Sequence, residues 1–416
     1  MVASTDLKFY VHTNNNAPQL INNFGCMIDV LDACLVNGFG AQTIATLTAS
    51  GTTVTATFGA AHNFMQYQVI KIAGANQTEF NGEHRILTVP NANTITFQLV
   101  SVPSVNTPTG AMTCSLPPLG WSKPFSAAGK AAYRSNNTLL PSRPYLRVVD
   151  ALDPAYTSTF AKYAKVGIVE DMTDIDAMLG VQAPYDTTAP TKNWVGTGSG
   201  TSAVNGWAKW YYAASTHNYD YSSDDATAIS GNRQWILIGN RDYFYILPSS
   251  IPSNNAALIY GFGAFDTLLN VDSANTFLSA TWLYQTAGTA YYRSQGSAGS
   301  SNVGSIKLIL QRSYNQSANY SSASTVSLGV MPDNAGTGIQ NYIADKSVAN
   351  VIPFSPVFLR ETVIRGQLPN LFWLFQNLPY SHYSIFEKSN ELFIAVNIAS
   401  LSSSQSGQAV FKIGDM

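Results

Sequence analysis

Residues 72–99 read IAGANQTEFNGEHRILTVPNANTITFQL. Two runs in it, EHRILTV (83–89) and NTITFQL (93–99), are rich in the β-branched and aromatic residues that suit strands. They are set off by Asn81-Gly82 and Pro90-Asn91, where the chain reverses easily. The same texture extends upstream through QYQVIKIAGA (66–75) and TIATLTASGTTVTATF (43–58), the latter with a Ser-Gly turn. Strands at such short spacing imply a sandwich or small barrel. We place an inserted β-sandwich-like module at 42–115. It interrupts a discontinuous β-rich main domain made of 1–41 and 116–416.

Just upstream, FGCMIDVLDACLVNG (24–38) carries the one strong helical pattern. Ile28, Leu31 and Leu35 recur at helical spacing, with Met27, Val30 and Cys34 beside them. Gly38 is a natural stop, and the pattern reads as a core-facing helix. Leu7 to His12 reads as a first strand. Downstream, KYAKVGIVEDMTDIDAMLG (162–180) reads as a strand followed by a short helix. WAKWYYAAS, RQWILIGNRDYFYILPSS, AALIYGFGAF, TFLSATWLYQ, IKLIL, ELFIAVNIA and AVFKIGD read as strands. Two Gly/Ser/Thr-rich stretches, 190–207 and 294–305, read as long loops. The fold class is mainly β, with one good helix and a few short ones. No repeat of 20–50 residues and no heptad pattern is present.

Charge is unusually sparse. Asp, Glu, Lys and Arg make up 11 % of the 416 residues, against about 25 % in an ordinary soluble domain. Ser, Thr, Asn, Gly and aromatics take their place, which suits β-structure and large neutral contacts between subunits. A net charge of −2 gives no reason to expect a nucleic-acid partner. No apolar run approaches the roughly 20 residues of a membrane span, and the first residues carry no signal-peptide pattern. Cys26, Cys34 and Cys114 form no disulfide framework, so reduced thiols and assembly in a cytoplasm are expected.

Candidate chemistry is thin. The histidines, at 12, 62, 84, 217 and 382, share no metal-ligand spacing. The acidic loop HNYDYSSDD (217–225) does not fit an EF-hand and reads as solvated, with calcium as the alternative. Glu170, Asp171, Asp174, Asp176 and Glu361 are the carboxylates that a glycosidase would need as a pair. No nucleophile elbow, phosphate loop or dinucleotide fingerprint is present. The aromatic run WAKWYYAA (207–214) has three readings: core packing, a subunit interface, or sugar contact. Trp207, Trp210, Tyr211 and Tyr212 are the candidate interface residues, and LFWLF (371–375) reads as core.

The order Ile72-Ala73-Gly74-Ala75, Phe80-Asn81-Gly82, Val89, Asn91-Ala92-Asn93-Thr94, Thr109-Gly110 resembles a small Ig-like or β-sandwich module embedded in many tailed-bacteriophage virion proteins. The flanks VLDACLVNGFG (30–40), PLGW (118–121) and KAAYRS (130–135) strengthen the likeness, as do LRVVDA (146–151), YGFGAFD (260–266) and IRGQLPNL (364–371). Together they resemble a family of uncharacterised phage structural proteins; the stretch 190–235 does not match it. The resemblance implies a virion component and transfers no catalytic residue. The expectation is a non-enzymatic structural protein without cofactor or metal. It would sit in the tail, at the baseplate, tail tip or a fibre-attachment collar, as a homo-oligomer in contact with other virion proteins. The alternatives are a capsid decoration protein and a tail protein that recognises a host surface glycan. Neither nucleic acid nor membrane insertion is expected.

Overall fold

The computed structural model describes residues 3–153, 161–196, 206–214, 228–249, 251–252, 254–285, 291–294, 307–326, 354–374, 378–399 and 406–416. The chain is mainly β, as its sequence predicts, with two open sheets and one closed barrel.

The larger sheet starts with Lys8–Val11, Trp235–Gly239, Tyr243–Pro248, Tyr260–Ala264 and Thr276–Ser279, in that spatial order. It continues through Lys307–Leu310, Ser321–Val326 and Phe354–Arg360, and finishes with Ile364–Leu374, Ser406–Asp415, Glu391–Ala399 and Ile385–Lys388. Successive strand residues point to opposite faces. Phe9, Val11, Ile236, Ile238, Tyr245 and Leu247 join one apolar cluster with Leu371, Ile394, Val396 and Phe411. The alternate residues Tyr10, Leu237, Phe244 and Ile246 join a second cluster, shared with Leu146, Val148, Val166 and Ile168. The sheet therefore turns back so that its last strands cover one face of its first strands. Tyr245 marks this contact: its ring centroid lies 5.4 Å from that of Phe411, and its hydroxyl donates to Pro369 O at 3.0 Å.

The other face of those first strands is covered by the smaller sheet. Its order is Tyr291–Ser294, Thr281–Gln285, Ala208–Tyr211, Tyr163–Met172, Tyr145–Val149, Lys130–Ser135 and Trp121–Ala127, with Met178–Ala183 also pairing Tyr163–Met172. Tryptophans set the spacing between the two sheets. Trp210 stacks on Tyr260 at 6.0 Å and donates its indole N–H to Ser279 O at 2.8 Å. Trp121 meets Phe244 edge-on at 5.4 Å and donates to Asn240 O at 2.9 Å. A buried indole thus finds the partner its polar atom requires.

The expected helix is present as an α-helix, Cys26–Leu31, running into a π-helix, Asp32–Asn37. Met27, Val30, Leu31, Cys34 and Leu35 are buried, Ile28 is partly buried, and Asp29 faces solvent. No local side chain caps its first turn. Asp150 does so from the smaller sheet: its Oδ2 accepts the Met27 N–H at 3.0 Å, and its Oδ1 accepts the Tyr212 hydroxyl at 2.7 Å. Burial pushes the Asp150 carboxyl up from 3.8 to about 7, although the hydrogen bonds from Tyr212 and Met27 oppose the rise.

Residues 39–116 form the barrel, from strands Phe39–Ser50, Thr53–Phe58, Val69–Ala73, Gly82–Asn91, Thr94–Gln98 and Thr113–Leu116. Residues 39–43 of the first strand pair with Thr113–Leu116, and residues 44–50 pair with Thr53–Phe58. The strand Gly82–Asn91 divides its pairing in the same way, between Val69–Ala73 and Thr94–Gln98. Two small sheets therefore face each other, as in a sandwich, and two long strands run through both and close the circuit. The residues of the phage-like pattern hold the closure. Asn81 exchanges two hydrogen bonds with the backbone of Ala75, at 3.0 and 2.8 Å. Gly74 and Gly110 cross so closely that a Cβ on either would collide with a backbone oxygen, of Ala111 and Gly74 respectively.

Polar residues of the barrel attach it to the N-terminal strand. Gln68 and Asn14 exchange side-chain hydrogen bonds at 3.0 and 2.9 Å. Arg85, almost fully buried, donates to Ser4 O and Leu7 O at 2.8 and 3.0 Å.

One sequence expectation fails. The short helix expected near residue 175 is the turn of a hairpin between Tyr163–Met172 and Met178–Ala183. Asp174 Oδ1 accepts the Asp176 N–H at 3.2 Å, a local turn bond that competes with helix. Asp176 is drawn to Lys130 and Arg147, at 2.6 and 2.5 Å. Among the described residues, the only other helical segment is a 3-10 turn, Thr78–Phe80.

Two outcomes follow from this architecture. Phe39 and Leu116 are paired neighbours, so replacing 43–115 by a short Gly-Ser linker is expected to leave the remainder folded. Its melting temperature should fall, because Gln68 and Arg85 no longer serve the N-terminal strand. Circular dichroism with limited proteolysis checks this, and loss of any cooperative transition would refute the proposed domain division. The second concerns Asp150. A carboxyl with a raised folded pKa makes its full contribution to stability below its unfolded pKa and loses it as pH rises through the folded value. The wild-type chain should therefore lose stability between about pH 4 and 7, and Asp150→Asn should flatten that slope in urea titrations run across the window.

Candidate functional site

The strand Tyr163–Met172 carries two neighbours along one edge. Ala208–Tyr211 pairs with its start, and Met178–Ala183 pairs with its end. The second ladder shifts register: Val169 faces Gln182, but Asp171 faces Leu179. The extra residue falls at Gly180-Val181, where Gly180 has φ +68°. A bulge of this kind bends the strand and redirects side chains. Here it receives Glu170. Val181 N–H donates to Glu170 Oε2 at 2.9 Å, and a Cβ at position 180 would strike the same carboxylate.

The bulge forms one wall of a cleft of about 880 Å³. Trp207, Trp282, Tyr185 and Tyr320 supply aromatic surface, and Glu170, Gln182, Asp186, Arg312 and Asn319 supply polar groups. Arg312 and the segment 318–320 come from the connection between larger-sheet strands Lys307–Leu310 and Ser321–Val326. The cleft therefore lies where that connection meets the edge of the smaller sheet. One ion pair joins the two sides: Arg312 Nε and one terminal nitrogen donate to Glu170 Oε1 at 3.0 and 2.5 Å. Gln311 adds a third bond to the same oxygen at 3.3 Å. Burial alone would raise the Glu170 pKa. The bonds from Arg312 and Val181, with the Arg312 charge, outweigh it and hold the carboxyl below its usual range.

Asp186 is tied as well. It accepts the Thr188 N–H and hydroxyl at 2.9 and 2.7 Å, and Lys192 lies 3.6 Å away. The Thr188 bonds lead in lowering its pKa. Lys192 Nζ also sits 4.3 Å from the centre of the Trp207 ring. A glycosidase of the usual two-carboxylate kind needs one carboxylic acid that keeps its proton near neutrality. Hydrogen bonds and nearby cations favour the ionised form of Glu170 and Asp186.

The structure distributes the sequence candidates as follows. Of the five carboxylates, only Glu170 lines the cleft. Asp171 accepts its neighbour's N–H, Asp174 and Asp176 belong to the hairpin turn, and Glu361 pairs with Arg365 at 2.8 Å. Of the four aromatics of 207–212, Trp207 reaches the cleft. Trp210, Tyr211 and Tyr212 are at most 1 % exposed and pack against Tyr260, Tyr163 and Asp150 of this chain. Leu371, Trp373 and Leu374 are core. Among the described residues no His, Cys, Asp and Glu side chains group as metal ligands. The acidic loop 217–225 lies outside the described residues. Sequence reading missed Tyr185, Gln182, Trp282, Arg312, Asn319 and Tyr320, because each comes from a segment that looks unremarkable alone. The bulge glycine, Gly180, gives the one local signal.

No known protein family matches this chain, and no curated protein matches its sequence. Among solved structures, a phage phi92 endosialidase is matched with 9 % identity and a TM-score of 0.15, over 91 % of this chain and 52 % of that one. The chain thus spans about half the length of the structure it matches. A score this low establishes no shared fold.

Severing the ion pair should register as a stability loss. Both side chains are mostly buried, and hydrogen bonds to charged groups contribute about 1.5–3 kcal/mol each. Glu170→Ala is expected to cost roughly 2 kcal/mol in urea denaturation, with Glu170→Gln costing less because it keeps an acceptor for Val181.

Proposed function

We propose that this chain is a non-enzymatic structural component of a tailed-phage virion, placed in the tail at the baseplate, tail tip or a fibre-attachment collar. The observation that carries the reading is where the phage-like residues fall. Asn81, Gly74 and Gly110 hold the barrel closed. From PLGW, the Leu119 and Gly120 N–H groups donate to Cys34 O and Leu35 O at the end of the helix. From KAAYRS, Tyr133 donates to Asp32 at 2.8 Å. LRVVDA supplies Asp150, and IRGQLPNL supplies the buried Arg365. The pattern is one of architecture, which fits an assembly part better than an enzyme. The tied carboxylates point the same way.

Sparse charge favours association through neutral surfaces. Leu139, Val100, Val102 and Val271 stand largely exposed, and the open sheets end in strands such as Ile385–Lys388 that can pair with a neighbour. The partners in this reading are further copies of the chain and other virion proteins. A second reading, recognition of a host surface glycan from the tail, is favoured by one feature, the aromatic cleft.

Gold-labelled antibody against the purified chain, applied to particles of the source phage, tests the location. Label at the tail end is the expected result. Label over the head would make the chain a capsid decoration protein. Unlabelled particles, with the antibody shown to bind the purified chain, would overturn the virion reading.

A further inference from the structure

We propose that the cleft at the Gly180 bulge binds an uncharged oligosaccharide. Sugars present two kinds of surface, apolar C–H faces and a rim of hydroxyls. The cleft offers a partner for each. Tyr185 and Tyr320 give ring surface, and the largely buried Trp207 and Trp282 add apolar edges to the same lining. Glu170, Gln182, Asp186 and Asn319 add carboxylate and carboxamide groups to the same lining. Mostly apolar or aromatic walls with a few placed polar groups are the ordinary make-up of a small-molecule site, and about 880 Å³ falls within the roughly 300–1,000 Å³ of such sites.

The polar groups are preorganised. Glu170 is fixed by Arg312, Gln311 and Val181, and Asp186 by Thr188, so little ordering is left to be done on binding. One acceptor is in surplus: the amide oxygen of Gln182 is buried and has no hydrogen-bond partner in the protein. A buried acceptor left unmade is costly, and a rotation of this carboxamide toward a ligand hydroxyl relieves that cost.

Charge selects the class of sugar. Arg312 is neutralised by Glu170 at 2.5 Å, and Lys192 is paired with Asp186 at 3.6 Å. Among the described lining residues no cation is left to receive a carboxylate, sulfate or phosphate, and an anionic ligand would meet two fixed carboxylates. Neutral hexose-containing chains fit, and sialylated, sulfated or phosphorylated ones do not.

The test uses the full chain on a printed array of neutral, sialylated and sulfated oligosaccharides. The strongest neutral hit is then titrated against tryptophan fluorescence. Binding to neutral glycans is expected, with a fluorescence change from Trp207 and Trp282. Tyr185→Ala and Asn319→Ala, both at exposed positions, are expected to weaken it by about tenfold or more, equivalent to about 1.4 kcal/mol, at an unchanged melting temperature. Retention of acidic glycans alone, no retention of any neutral glycan, or affinity that both substitutions leave intact would overturn the proposal. Binding in solution does not depend on where the chain sits in a particle, so failure here and failure of the virion reading are separate results.

Discussion

Strands Lys8–Val11, Trp235–Gly239 and Tyr243–Pro248 place buried side chains on both of their faces at nearly every position, and both faces must be kept from water. At roughly 25 cal/mol per Å² of apolar surface, leaving either face open would cancel much of the stability of a domain this size. One face is covered by the far end of the same sheet and the other by the smaller sheet. The rest of the architecture follows. The larger sheet has to be long enough to turn back over itself. The smaller sheet, itself covered on its outer face by Ile175 and Trp194, has to be held at the distance set by Trp121 and Trp210. The helix fills the remaining gap between the barrel and the sheets.

With so much interior, several of the few charges are buried, among them Arg85, Arg147, Asp150, Asp272 and Arg365. Arg365 is fully buried. It makes a two-point contact with Asp272, at 2.9 Å on each side, and a third bond to Glu361 at 2.8 Å. Removing one member of such a group costs about 3–5 kcal/mol, because its partner is left charged and unpaired. Arg365 also donates to Arg312 O at 2.6 Å, so the buried cluster fixes the backbone that presents Arg312 to Glu170. The rigidity of the cleft is thus inherited from the core of the larger sheet. Asp150 does the same for the helix, capping it from 123 residues away.

What was legible in the sequence follows from how far each determinant reaches along the chain. The helix at 24–38 and the strands of residues 43–100 are written in local periodicity and turn residues, and both are found. Barrel closure is less legible, since it depends on two strands changing partners, the first between residues 43 and 44, a property of pairing rather than of pattern. The hairpin at 173–177 was misread because Asp174 and Asp176 look acceptable on a helix until Lys130 and Arg147, from other strands, claim the second of them. The cleft was least legible. Glu170 and Trp207 were noticed for their chemistry, but their neighbours come from separate segments that only the fold brings together.

The residues that resemble phage structural proteins and the described residues that line the cleft are disjoint sets. Asn81, Gly74, Gly110, Asp150 and Arg365 carry backbone crossings, caps and buried charges, where substitution is penalised by geometry whatever the protein binds. Tyr185, Asn319 and Tyr320 lie outside the strands, where substitution alters the cleft at little cost to the fold. A scaffold arranged this way can keep its fold while its cleft is altered one loop residue at a time. Glu170 joins the site to the scaffold. It closes the bulge at Gly180 and anchors the cleft floor, so a change there disturbs the scaffold as well as the site.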